Sequence, residues 1–509
     1  MGIPSYFKRL LQTKKTILLR DLPIKVDALA IDFNCIVYTC LRSSELSPYP
    51  GLEDEQKHIE WEDEVLSVVC KNLKDIWDSA GNPRNVYVAV DGVVPMAKIR
   101  QQRMRRFKSV WWAEKEYEMG VRKRDVPRWD TNAITPGTAF MDRLARKIGS
   151  FCQQHKWEMS SSNEKGEGEH KLIQWLRKKN EFKSVTIFGL DADLILLSML
   201  FAKQHSKLVW LMREKSEFQD AGADVKYMYL DICHLLDALV SEDDKLEYLY
   251  DYVLGMCLLG NDFLPHGLTM KIRENGHERL LRELNALHEK NIRLVTNGLM
   301  NFDGLKELIG NLAREEEDEL KRSLKKKLVM KPAAPRNDVE KQMLPVQGLP
   351  LEWNAEKVFG TPDRLREDWQ DIYRGFTPKD ACASYVFGLQ WILDYYTGKP
   401  VNTSWFFSWH LPPLWSDLYD YLNGCRVKRY IPPSEVDLQP QEQLAMVLPM
   451  ESWHLVRNPN LQILPSLLPQ FWPTKFGFLS LGRAWMWECE ADIPILTPGR
   501  LRTVCGAKA

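Results

Sequence analysis

The chain has 509 residues, 44% of them hydrophobic, and 69 Lys and Arg offset 69 Asp and Glu to give a formal net charge of zero. That length exceeds one ordinary domain, and the apolar share supports a sizeable core, so global disorder is excluded. Affinity for nucleic acid must then come from local basic patches, and ten cysteines without CxxC pairs argue against a zinc ribbon and for reduced thiols in a cytosolic or nuclear compartment.

The N-terminal MGIPSYFKRLLQTKK lacks the apolar stretch of a signal peptide, and no charge-free apolar run reaches the roughly 18 residues of a membrane span, so a soluble protein is expected. Residues 26–40, VDALAIDFNCIVYTC, read as a buried strand ending at Asp32, then a turn and a helix. Residues 59–79 read as helix. NVYVAVDGVVP (85–95) repeats the arrangement, with Asp91 at the strand end and Pro95 opening a helix. Carboxyl ends of such strands are where α/β sheets place ligand chemistry, although an Asp there often only caps the next helix.

The helix after Pro95 is the most basic part of the chain, with ten Lys or Arg against three Glu between Lys98 and Arg124. Lys98, Gln102 and Arg106 recur at four-residue spacing with Arg105 adjacent, so the four share roughly one face. A cationic face beside strand-end acids suits a phosphate, which Arg engages with two parallel hydrogen bonds. A turn at Pro136-Gly137 and a helix capped near Thr138 follow.

Residues 160–197 hold two acidic pairs. Glu167 and Glu169 follow Gly166 and open an amphipathic helix, where the helix dipole tolerates anions. Asp191 and Asp193 interrupt VTIFGLDADLILLSML, which reads as a strand buried on both faces. Carboxylates there cost several kcal/mol unless compensated, and a divalent cation is the usual compensation. Further on, KLVWLM (207–212) reads as a strand and 247–266 as an apolar helix with Asp262 at its end. Residues 267–328 read as helix, closing in the solvated charge run EEEDELKRSLKKK. A Pro-rich linker at 329–350 separates the region 1–328 from an aromatic-rich, irregular region, 351–509, expected to cover it.

Taken together, MGIPSYFKRLL, LAIDFNCIVYTC, VYVAVDGVVPMAKIRQQRMRRFKS, WDTNAITPGTAFMDRL, GEGEHK, FGLDADLILL, GNDFLPH, YVFGLQWILDYYTGKP, SWFFSWHLPPLWSDL, EQLAMVLP and WECEADIPIL resemble the XRN-type 5′→3′ exoribonucleases. The resemblance covers nearly the whole chain, in the family's order. It implies an α/β fold in which helices flank a central mixed β-sheet, related to the PIN and flap-nuclease group. A second, aromatic-rich, mainly helical and irregular region would pack on that core. It also implies a catalytic metal site at Asp32, Asp91, Glu167, Glu169, Asp191, Asp193 and Asp262 for one or two Mg²⁺ (or Mn²⁺). A 5′-phosphate pocket would comprise Lys98, Gln102, Arg105 and Arg106, and a base clamp Tyr38 and Trp487.

Tyr38 departs from the family's His, keeping a stacking face but losing the imidazole; Cys35 and Lys165 depart from its Gly and Pro. The implied activity is processive degradation of single-stranded RNA bearing a 5′-monophosphate, downstream of decapping enzymes. The protein is expected to be monomeric, free of membrane, and cytoplasmic, with the nucleus as the alternative. Two other readings share parts of the pattern. A structure-specific DNA flap endonuclease would use the acids without the phosphate pocket, and a non-enzymatic RNA 5′-end binder would bind without turnover.

Overall fold

Short apolar runs rich in β-branched residues build the centre of the molecule. The computed structural model describes residues 3–506 except 4, 14, 216–224, 241–244, 330–333, 336, 348–354, 425–431 and 484. Its main sheet has seven strands: β1 (Leu18–Leu19), β2 (Ala28–Asp32), β3 (Asn85–Ala89), β4 (Glu158–Ser160), β5 (Ser184–Phe188), β6 (Leu208–Glu214) and β7 (Tyr227–Asp231). Their order is β1-β7-β6-β5-β2-β3-β4. Strands β4, β3, β2, β5 and β6 run parallel, while β7 is antiparallel to both β6 and β1, so the sheet is mixed.

The period of two along β2 sends Ala28 and Ala30 to one face and Leu29 and Ile31 to the other. On the first face lie the helices Gly168–Lys178 and Asp193–His205; on the second lie Glu55–Ser79 and Ala139–His155. The latter helix is capped by Thr138, whose hydroxyl accepts from the Met141 N–H. Because both faces are covered, β2 and β5 are almost wholly buried, and charged side chains are left to the strand ends.

Three expectations from sequence are corrected. The run VTIFGLDADLILLSML is not one strand: β5 stops at Phe188 and a buried helix begins at Asp193. Both halves are apolar and buried, so periodicity cannot separate them; Gly189, where an added Cβ would strike the Leu194 side chain, makes the close turn between them. Residues 267–328 are not continuous helix either. A hairpin, Val295–Thr296 against Leu299–Met300, turns on Asn297 and Gly298 at φ of 53° and 69°, the left-handed pair that a two-residue hairpin turn requires. Nor is the whole charge run solvated. Glu316 is buried and accepts from the N–H groups of Trp415 and Ser416 at 2.7 and 3.1 Å, tying off the first turn of the helix Trp415–Gly424.

The stretch read as linker contains a helix, Asp338–Gln347. Beyond it, short helices and loops predominate, and the only strands among the described residues there are the pair Phe478–Leu479 and Glu490–Ala491. This region shares its core with the sheet domain. The helix Ala381–Thr397 packs on Lys245–Cys257, and Pro440–Val447 packs on the basic helix Met96–Glu118. Arg103, fully buried on the basic helix, donates to the carbonyls of Met446 (2.9 Å), Pro494 (3.0 Å) and Phe471, with its guanidinium over the Phe107 ring. Among the described residues no helix is long and apolar enough to cross a membrane.

Candidate metal and phosphate site

The acids converge at the carboxyl ends of β2, β3 and β5, the central strands of the sheet. Asp32 closes β2; Asp91 and Asp191 lie just past β3 and β5. Glu167 occupies the N-cap of the helix Gly168–Lys178, and Glu169 its first turn. Asp193 starts the helix after β5, and Asp262 lies in the turn five residues beyond the end of the helix Lys245–Cys257. The strand-end and helix-start groups meet because Asp91 Oδ1 accepts from the Gly168 N–H at 2.6 Å. Gly168 permits this approach: a Cβ there would lie 2.5 Å from Asp32 Oδ1 and 2.9 Å from the Ala89 carbonyl.

Oxygens of Glu169, Asp191 and Asp193 lie within 4.8 Å of one another, and Glu167, Glu169 and His170 form a second such group. Both carboxylate oxygens of Glu169 and both of Asp193 are buried without a hydrogen-bond partner. Burial, reinforced by Asp91 and Asp191, holds Asp32 well above the usual carboxylate range. Burial with Asp193 and Glu167 does the same for Glu169. Asp193 is pushed up to about 7 by burial, with Lys98 opposing and Asp191 and Asp262 adding to the rise. Ionised carboxylates left bare in such a site are costly. An oxygen-only donor set with four unengaged oxygens fits a hard divalent cation.

Lys98 is the positive charge already in the cluster. Its ammonium lies 2.5 Å from Glu167 Oε2 and 2.8 Å from Asp262 Oδ2, the latter 164 positions further along the chain than Lys98. Burial pulls its pKa down, but Asp262 and Glu167 outweigh that and hold it well above its ordinary value.

One turn along the basic helix, Gln102 is buried and its Oε1 has no partner, while the adjacent Gln101 reaches Asp262 at 3.4 Å. Arg105 is half-buried and within electrostatic range of Asp191. Arg106 is buried and donates to Asn132; burial pushes it down to about 10. The four predicted phosphate ligands thus lie along one helix, from the acids at Lys98 towards Tyr38, which is within electrostatic range of Arg106. Trp487, 44% exposed, has the Arg273 guanidinium 4.3 Å over its ring. No ring contact joins it to Tyr38 among the described residues.

Several residues beside the acids had no sequence assignment. Asn34 accepts from the Asp91 N–H at 3.2 Å, and Asn132 holds Arg106. His170 is kept neutral, its pKa driven down to about 3 by burial, and its ring lies 3.8 Å from that of Tyr395. Tyr395 in turn donates to Glu167 Oε1 at 2.8 Å. Both belong to stretches quoted for the resemblance, GEGEHK and YVFGLQWILDYYTGKP, but their roles depend on contacts that spacing does not reveal.

A mixed sheet with helices on both faces that gathers carboxylates from three strand ends, two helix starts and a turn, flanked by a cationic helix, is the architecture of the PIN-like nuclease folds. Residues 1–215 match the family described as XRN 5'-3' exonuclease N-terminus, and residues 366–506 match the Xrn1 helical domain, together more than half of the chain. The chain belongs to the XRN family of 5′→3′ exoribonucleases.

Among its relatives is 5'-3' exoribonuclease 1 of Saccharomyces cerevisiae, 29% identical over 60% of this chain and 22% of that protein. Another is 5'-3' exoribonuclease 2 of Eremothecium gossypii, 29% identical over 74% of this chain and 49% of that protein. Human 5'-3' exoribonuclease 1 is 25% identical over 98% of this chain and 34% of its own length. The chain therefore spans half or less of the length of these relatives.

Proposed function

We propose that this chain degrades single-stranded RNA processively from a 5′-monophosphate end, releasing nucleoside 5′-monophosphates, with Mg²⁺ or Mn²⁺ as cofactor. The observation that carries this reading is the set of four unpartnered oxygens of Glu169 and Asp193, buried beside the cationic Lys98–Arg106 face. Asp32, Asp91, Glu167, Glu169, Asp191, Asp193 and Asp262 would hold one or two ions, some touching the metal and others orienting those that do. A bound divalent ion supplies Lewis acidity, lowering the pKa of a water and stabilising the leaving oxyanion.

The rest is the work of the side chains. Lys98, Gln102, Arg105 and Arg106 would hold the terminal phosphate, and an anion there would offset the cost of burying Arg106. A pocket closed around one phosphate rejects a cap or a triphosphate by size. Tyr38 and Trp487 would hold the first base, where stacking of roughly 1–3 kcal/mol per base is indifferent to sequence. Release of each mononucleotide lets the next advance. On this reading the protein works as a monomer, in the cytoplasm, on RNA whose 5′ end decapping enzymes have exposed.

The test uses one RNA sequence bearing a 5′-phosphate, a 5′-hydroxyl or a 5′-triphosphate, each with Mg²⁺ and with EDTA. The expected result is decay of the 5′-phosphate RNA alone, and only with Mg²⁺. Equal decay of all three, or none in Mg²⁺, overturns the proposal.

A further inference from the structure

Tyr395 reaches the acids from the far half of the chain. It stands on the helix Ala381–Thr397, and its hydroxyl donates to Glu167 Oε1 at 2.8 Å across 228 residues of sequence. The other oxygen of that carboxylate takes the Lys98 ammonium at 2.5 Å. Glu167 is thereby held at both ends: one oxygen by a neutral donor, the other by the cation that also bridges to Asp262 at 2.8 Å. Burial and the nearby Glu167 carboxylate keep the Tyr395 hydroxyl protonated, so it can only donate to the carboxylate.

The ring is fixed as firmly as the hydroxyl. It lies 3.8 Å from the ring of His170, 4.9 Å from Trp391 in a stacked pair, and 5.5 Å from Phe263 edge-on. His170 follows Glu169 in sequence and Phe263 follows Asp262, so one aromatic side chain braces the segments carrying three of the acids. Tyr395 and His170 also line a cavity of about 400 Å³ that the acids themselves do not line. Each therefore borders that cavity and also reaches the carboxylates, Tyr395 at Glu167 and His170 within 4.8 Å of Glu167 and Glu169.

We propose that Tyr395 is a positioning residue for the metal site: it holds the Glu167 carboxylate in the orientation in which it joins the other acids around a divalent cation. The second region would then complete the metal site as well as cover it. This rests on the reading of the acids as metal ligands, and outer partners of ligating carboxylates typically contribute about 10–100-fold to metal affinity.

The experiment compares the wild-type chain, Tyr395→Phe and Tyr385→Phe. Tyr385 is a control on the same helix whose hydroxyl donates to the Pro265 carbonyl at 3.1 Å. Thermal unfolding is followed while Mg²⁺ is titrated into EDTA-treated protein, and Mn²⁺ binding is counted independently by the loss of the free-ion paramagnetic resonance signal. The half-saturating ion concentration should rise about tenfold or more in Tyr395→Phe and stay at the wild-type value in Tyr385→Phe. Both variants should be somewhat less stable in EDTA, since each leaves a partly buried acceptor without its donor. Wild-type ion affinity in Tyr395→Phe overturns the proposal, as does an equal loss in both variants, which would mark the effect as general loosening of the helix. If the wild-type chain gains no stability from either ion, the metal reading falls and the role of Tyr395 with it.

Discussion

Replacing Asp193 by Asn removes a charge from the most deeply buried of the acids with almost no change in shape. Asp193 is fully buried, both its oxygens lack partners, and its pKa is pushed from the ordinary 3.8 to about 7. A carboxyl raised in the folded state favours its neutral form there. The metal-free protein therefore keeps full stability below the unfolded pKa near 4 and loses it as pH rises from about 4 to about 7. At about 1.36 kcal/mol for each step of one in pKa, the loss approaches about 4 kcal/mol.

The amide introduced by the substitution would itself lack partners, a cost of about 1–3 kcal/mol that does not vary with pH. The pH-dependent difference between the two proteins is consequently the quantity to read. Urea unfolding in EDTA at intervals from pH 4.5 to 8 should show the wild type losing ground to Asp193→Asn by up to about 4 kcal/mol, most of it before pH 7. Adding Mg²⁺ at pH 7.5 should restore the wild type and leave the variant unchanged, because a ligand of the folded state alone stabilises by mass action. A difference that stays flat with pH would refute the claim that Asp193 is a bare buried carboxylate. Equal rescue of both proteins by Mg²⁺ would remove Asp193 from the metal site.

Gly168→Ala should lower metal affinity and RNA turnover together by about tenfold or more, since its Cβ would lie 2.5 Å from Asp32 Oδ1; wild-type ion titration in that variant would show that the helix start can shift at no cost. Arg103→Met leaves the carbonyls of Met446, Phe471 and Pro494 without their shared donor. At about 1–3 kcal/mol for each orphaned group, unfolding midpoints should fall by several degrees, and protease should open 440–500 first; an unchanged urea midpoint would contradict this. Trp487→Ala should shorten the run of nucleotides removed per binding event while single-turnover cleavage with saturating enzyme persists; unaltered run lengths on a labelled RNA would exclude the base clamp.

Much of the sheet and most of the candidate site were legible in the chain. Strands that end in an acid stand out because a carboxylate inside an apolar run is costly, and Asp32, Asp91 and Asp191 all lie at or just beyond such ends. The basic face from Lys98 to Arg106 was legible because a helix repeats every 3.6 residues, and it does form one helix. What the pattern could not show is that Arg103, from the same basic run, faces away to hold the second region, or that Gln101 rather than Gln102 touches Asp262. Charge in a sequence window has no direction until the packing of the helix supplies one. The split of VTIFGLDADLILLSML escaped for a related reason: full burial on all sides erases the alternation by which strand and helix are told apart.

The sequence by itself determined which groups are charged, where apolar runs force those charges to need a partner, and the spacing that lines up Lys98, Gln102, Arg105 and Arg106. Tertiary structure alone decided who the partners are. Lys98 lies between Glu167 and Asp262, Gly168 admits Asp32 and Asp91 to the helix start, and Tyr395 arrives from 228 residues away to hold Glu167. Those contacts close only when the sheet brings strand ends together and the second region docks on them. Their energies depend on burial and distance, neither of which any local stretch of the chain contains.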